Sequence, residues 1–158
     1  MKQDRFLIGI LIGIVVLIAV ALTLFFTRQE AQTYRGGSSP DAVVFNYALA
    51  INEKDYQKAY GYLAELENKP SYEQFRQSFF NGMVNSNNVG VNVGRADING
   101  NEATVEIKII FPSSDPFSSN SSNVDRALLV KQNGEWKISS LPYNLWDYNW
   151  YQAPPVKR

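Results

Sequence analysis

Six large side chains fall within nine positions near the C-terminus: Tyr143, Leu145, Trp146, Tyr148, Trp150 and Tyr151, in the stretch PYNLWDYNWYQAPP. Tryptophan and tyrosine combine apolar area with a polar handle, which suits them to binding hot spots and to membrane headgroups. So dense a cluster beyond the last expected strand is not comfortable in water along its whole length. Two roles are open to it. It either packs back across a sheet and seals the domain, or presents an aromatic surface to a protein, an envelope sugar or the membrane interface. Tyr143, Trp146, Tyr148, Trp150 and Tyr151 are therefore the candidate ligand- or partner-binding residues.

A second group is phenolic and acidic. Tyr47, Asp55 and Tyr60 fall on or beside two expected helices and are the candidate pocket residues. A carboxylate next to a phenol can move protons, and a tyrosine-lined cavity can hold a sugar, a lipid head or a peptide. The plainer reading is that Tyr47, Tyr56 and Tyr60 lie on core-facing stripes and fill a helix–sheet interface. Asp55 then caps a helix, since an acid at a helix N-terminus needs no further cause.

The chemistry available is narrow. The chain has no histidine and no cysteine, which removes the commonest proton carrier near neutral pH, thiolate nucleophiles, disulfides and thiolate metal sites. No phosphate loop, dinucleotide fingerprint, serine elbow, calcium loop or zinc pattern is present, so no cofactor and no metal is expected. The 15 basic and 15 acidic residues are interspersed and form no basic stripe, which argues against nucleic acid as a partner. These absences weigh against an enzyme.

The elements that would position these residues begin with a membrane segment. Phe6–Phe26 is 21 residues without a charge, and Thr23 is its one polar side chain. As a helix it reaches roughly 31 Å, close to the hydrocarbon thickness of a bilayer. A cleaved signal is the alternative, because Ala19-Val20-Ala21 has small residues at the right spacing. Leu22, Leu24, Phe25 and Phe26 keep the segment apolar beyond that point, which favours an uncleaved anchor. Lys2 and Arg5 before it are nearly balanced by Arg28 and Arg35 after it. The very short leading tail and the Asn-, Ser- and Tyr-rich domain favour an N-terminus inside and a domain outside the plasma membrane. Gly9 and Gly13 have the four-residue spacing that lets two helices approach closely and form a homodimer, although glycine is also common in membrane helices.

The expected organisation is a tail at 1–5, the membrane helix at 6–26, a flexible tether at 27–39, one domain at 40–153 and a tail at 154–158. Tyr34 in the tether is an interfacial aromatic or touches nothing in particular. The domain opens with a helix from Ser39-Pro40-Asp41, with Val43, Val44, Tyr47, Ala48 and Ile51 on one face. A second helix is expected from Asp55 to Leu66, with Tyr56, Ala59, Tyr60 and Leu63 on its apolar face. Ser71 and Gln74 form a capping-box pair opening a third, and Gly82 ends it. From Asn88 the period changes to two. Val89, Val91 and Val93 lead to a turn at Asn99-Gly100 and a strong strand from Ala103 to Phe111. A polar loop, Ser113–Asn123, carries one apolar residue, Phe117, expected to fold over an apolar mouth or pin the loop to the core. Val124–Lys131 and Glu135–Ser140 are strands joined at Asn133-Gly134, with Trp136 and Ile138 on one face. Three helices on a curved antiparallel sheet of about four strands make an α+β domain.

Pro40–Leu63, PDAVVFNYALAINEKDYQKAYGYL, resembles the opening of the nuclear transport factor 2-like superfamily, a cystatin-like α+β cone. Ala127–Trp146, ALLVKQNGEWKISSLPYNLW, is similar to its closing hairpin. The resemblance implies a cone-shaped domain and a choice among isomerases, dehydratases, transport adaptors, binding modules and membrane-anchored extracytoplasmic domains. Enzymatic members commonly place an Asp or Glu with His or Tyr inside the cone, and this chain lacks the histidine. The expectation is thus a single-pass membrane-anchored, non-catalytic binding or scaffolding domain with a protein or envelope partner. The alternative is a pocket enzyme of the same fold, of isomerase or dehydratase type, using Asp or Glu with Tyr.

Overall fold

The computed structural model describes residues 2–28, 32–87, 89–115 and 117–153, with side chains of 2–5 and 26–28 left out. The expected tail at 154–158, the middle of the tether, Asn88, and the side chains of Lys2, Arg5 and Arg28 lie outside the described residues. The chain divides into two units, Met1–Thr33 and Tyr34–Arg158.

The first unit is a single helix, α1, Lys2–Arg28. Its stretch Phe6–Phe25 is long and apolar enough to cross a membrane. The Thr23 hydroxyl donates to the Ala19 carbonyl at 2.7 Å, so this polar side chain is accommodated within the helix itself. Nothing within the described residues occupies the space a side chain would take at Gly9 or Gly13.

The second unit holds helices α2 (Pro40–Asn52), α3 (Tyr56–Gly61) and α4 (Tyr72–Phe80), then strands β1 (Gly90–Asn99), β2 (Glu102–Phe111), β3 (Ser121–Gln132) and β4 (Glu135–Ser140). The strands form one antiparallel sheet in sequence order. Its inner face carries Ala103, Val105, Ile107, Ile109, Ala127, Leu129, Trp136 and Ile138. All are buried in one core with Val44, Tyr47, Ile51 and Phe75 of the helices. Bulges in β1 between Val93 and Ala96, and between β3 and β4 beside Leu128, bend the sheet.

α2 starts with Pro40 in its first turn as expected, but the Ser39 side chain makes no capping bond. Its carbonyl instead accepts from the Val43 amide at 3.0 Å. α4 has the full capping box: the Ser71 amide donates to Gln74 Oε1 at 2.8 Å and the Gln74 amide to Ser71 Oγ at 3.3 Å. Gly82 follows with φ +72°, the left-handed geometry that ends a helix.

Four expectations are corrected. α3 stops at Gly61 rather than Leu66, because the chain turns extended and pairs in parallel with β4 at Leu63 and Ile138. The Ala64 amide donates to the Ile138 carbonyl and the Ile138 amide to the Tyr62 carbonyl, both at 2.8 Å. That pairing satisfies Ile138 on the outer edge of β4 and buries Leu63, which a longer helix would not do. The first hairpin turns on Gly100 and Asn101, one position later than Asn99-Gly100, as Asn99 still pairs with Glu102. β3 begins at Ser121, so the polar loop is shorter than expected: main-chain pairing with β2 is indifferent to serine and asparagine side chains. Phe117 in that loop is 97% exposed and covers no mouth. Instead, its amide donates to the Asp115 carboxylate at 3.0 Å.

The outer part of the tether is fastened to the domain. The Arg35 amide donates to Asn46 Oδ1 at 2.7 Å, and Asn46 Nδ2 returns a bond to the Arg35 carbonyl at 3.0 Å. The Tyr34 hydroxyl donates to Glu53 at 2.6 Å, with the Lys58 ammonium over its ring.

Candidate functional site

The three pocket candidates do not converge. Tyr47 is fully buried, and its hydroxyl donates to the Leu145 carbonyl at 2.8 Å. Tyr60 packs edge-on against Tyr72 and Phe75 and donates to the Pro70 carbonyl at 2.9 Å. Asp55 is exposed and accepts the Lys58 amide at 3.1 Å, capping α3. None of the three lines either of the two large grooves described next.

The C-terminal aromatics separate into two sets. Trp146 and Trp150, for which the sequence leaves both sealing the domain and meeting a partner open, are 7% and 4% exposed. Trp150 lies against Phe75 with ring centres 4.8 Å apart, Trp146 meets Trp150 edge-on at 4.9 Å, and Tyr151 stacks on Trp146 at 5.7 Å. Their polar handles are used as well: Trp150 Nε1 donates to Ser78 Oγ at 3.2 Å and the Tyr151 hydroxyl to the Ala64 carbonyl at 2.7 Å. Aromatic pairs of this geometry add to the energy of burial, so this set seals the core. Tyr143 and Tyr148 point the other way, at 70% and 83% exposed.

A groove of about 640 Å³ runs between this segment and the β3–β4 strands. Trp146, Trp150 and Tyr151 border it from the core side, Tyr143 and Tyr148 from the solvent side. Asp125, Leu128, Ser139 and Ser140 contribute from the sheet. It brings together all five residues singled out near the C-terminus. The sheet contribution was not legible in the sequence, because the register that sets β3 beside residues 139–152 is a tertiary fact.

A second groove of about 650 Å³ lies on the α4 side, and a buried polar cluster lines it. Ser78 Oγ donates to Asp147 Oδ2 at 2.6 Å, while Asp147 Oδ1 accepts from the amide and the side-chain nitrogen of Asn149, each at 2.9 Å. Three donors thus satisfy a carboxylate that is buried without an ion pair among the described residues. With the Trp150 bond the cluster ties the C-terminal segment to α4. No tyrosine lines this groove.

No protein-family model matches the sequence, and no curated protein matches it. Solved structures of similar shape include a SEC-C motif containing protein from Rhodopseudomonas palustris, 19% identical, with 67% of this chain and 79% of that chain covered and a TM-score of 0.48. Another is a protein of unknown function with a cystatin-like fold from Nostoc punctiforme, 18% identical over 61% of this chain and 80% of that one, TM-score 0.45. A third is an uncharacterized cystatin fold protein from Novosphingobium aromaticivorans, 11% identical over 65% and 97%, TM-score 0.45.

Proposed function

We propose that this protein is a single-pass membrane protein, anchored by α1 with its N-terminus inside, that displays a non-catalytic binding domain outside the plasma membrane. The observation that carries the reading is the groove beside β3 and β4, where Tyr143 and Tyr148 stand exposed over a floor of buried Trp146 and Trp150. Rigid aromatic rims over a packed floor hold a partner side chain at little cost in conformational entropy. The partner class we favour is protein.

A pocket enzyme of isomerase or dehydratase type is the rival. Its best candidate is Asp147, beside the α4 groove. Against it, both oxygens of Asp147 are committed to Ser78 and Asn149, and no phenol faces that groove. A proton carrier needs an oxygen free to reach substrate.

Replacing Tyr148, and separately Tyr143, by a photo-crosslinking phenylalanine derivative in the full chain tests the reading. After irradiation of native membranes we expect protein adducts at both positions and none at an exposed control such as Glu67. Adducts to lipid alone, or none above the control, would overturn it.

A further inference from the structure

β3 occupies the middle of the sheet order, yet only part of it has neighbours on both sides. β4 pairs with Leu128–Gln132, while β2 pairs with the strand from Ser121 onward. Residues Ser121–Arg126 are all exposed and their second edge is unpaired among the described residues. Which main-chain groups face that edge follows from alternation. The Lys131 amide donates to the Asn101 carbonyl on the β2 side, and the Leu128 carbonyl accepts from the Ser139 hydroxyl on the β4 side. Even-numbered residues therefore face away from β2, so Ser122, Val124 and Arg126 present their N–H and C=O groups to the open edge.

The sheet's other vulnerable edges are treated differently. A bridge from Leu63 covers β4 at Ile138, and a bulge with Gly94 interrupts β1. On the β3 edge the Arg126 amide is bonded at 2.8 Å to the carboxylate of the adjacent Asp125, and no main-chain bond from another strand reaches it among the described residues. Two more exposed features adjoin this edge: Phe117, four residues before β3, and the aromatic groove lined by Asp125 and Leu128.

We propose that a second copy of this chain occupies the open edge of β3, pairing antiparallel about a two-fold axis at Val124, with Phe117 of each copy directed to the groove of the other. This rests in part on reading the groove as a binding surface. In this register Val124 faces Val124, and Ser122 faces Arg126 of the second copy, so about six main-chain hydrogen bonds form. Asp125 faces Asn123 of the second copy, whose amide replaces the contact Asp125 gives up when the Arg126 amide joins the ladder. Neither charge meets its own copy. Sliding one strand by two residues toward its C-terminus sets Asp125 against Asp125, and by four sets Arg126 against Arg126, both penalised by like-charge opposition. The register also has an end: Asn120 of the second copy would come opposite Leu128, where Ser140 already pairs. The loop with Phe117 must turn aside there, at the mouth of the groove between Leu128, Ser139 and Tyr143. An isologous contact of this kind closes at two copies.

The absence of cysteine makes the test clean. Val124→Cys in the full chain, in detergent micelles under mild oxidation, is expected to give a disulfide-linked dimer as the main product. Paired strand residues about 5.5 Å apart lie within disulfide reach. Glu67→Cys, on an exposed turn, is the control for contact through α1 or by collision. Adding Ser122→Pro to Val124→Cys should lower the cross-linking rate at least tenfold, since proline is tolerated on an open edge but cannot join a ladder. Adding Phe117→Ser should lower it to a similar degree. In the unsubstituted protein the Ser122 and Val124 amides should become more protected from hydrogen exchange as concentration rises. Val124→Cys behaving like Glu67→Cys, together with exchange independent of concentration, would overturn the pairing. A rate unchanged by Phe117→Ser would overturn the seat in the groove. Adducts from Tyr143 and Tyr148 to a different protein alone would leave the binding reading standing and remove the second copy from it.

Discussion

The Ser78 hydroxyl joins residues 69 positions apart, giving its proton to Asp147 and accepting from Trp150. Ser78→Ala removes one partner from each of two buried polar groups, and leaving such groups unpaired costs more than the bond itself contributes. We expect a loss of ~2–3 kcal/mol in urea unfolding of the full chain in detergent; a loss under ~1 kcal/mol would mean that the hydroxyl does not hold the segment. Tyr47 acts at the same scale through pH. Burial pushes its phenol well above the ordinary value near 10, and burial likewise raises Tyr60, Tyr62 and Tyr151. The folded state keeps these groups protonated while the unfolded chain begins to ionise near pH 10. Above that point the unfolded state binds fewer protons and stability falls as pH rises; below it the contribution is fully present. Tyr47→Phe should cost ~1 kcal/mol at neutral pH for the lost bond to Leu145, and make the decline between about pH 9 and 11 shallower. Urea midpoints across that range check both signs.

At the scale of elements, the stretch 142–153 forms no helix or strand, yet Leu145, Trp146 and Trp150 within it belong to the core. Trp150 touches Phe75 and Phe79 of α4, Trp146 meets Trp150 edge-on, and Tyr151 stacks on Trp146. Trp150→Ala and Trp136→Ala should each cost ~3–5 kcal/mol, a large fraction of the stability of a domain this size. The same measurement on Tyr143→Ala or Tyr148→Ala should move by less than ~0.5 kcal/mol, since exposed rings away from buried networks contribute little to folding. Equal losses in both groups would erase the division between seal and rim.

For the whole molecule the decisive property is the pairing of an apolar helix with a domain whose nearest fastened residues are Tyr34 and Arg35. Our topology places the domain outside. Protease added to intact cells or spheroplasts should therefore cut between Thr27 and Ser39 and leave the domain as a resistant fragment. Protection until lysis would reverse the orientation, and a mature N-terminus near Leu22 would identify a cleaved signal.

Local patterns in the chain determined a good deal by themselves. The charge-free run at Phe6–Phe26, the Ser71–Gln74 cap, the Asn133-Gly134 hairpin and the alternation through β2 are short-range physics, and the structure has a helix, a capping box, a hairpin and an alternating strand there. The burial of Trp136 followed from its two-residue phase with Ile138. Other features depended on contacts that no local pattern encodes. Leu63 fits a helical stripe, but the unsatisfied edge of β4 draws it into an extended bridge. Trp146 and Trp150 read equally as seal or as partner-binding rings until α4 supplies Phe75 and Ser78 to receive Trp150. Ser121–Asn123 read as loop because polar side chains hide a main chain that pairs with β2 all the same. Side-chain type decides which face a residue prefers, whereas the partner on the other side of a strand or ring is set only when distant segments meet. The open edge of β3 belongs to that second class, and so does the groove beside it.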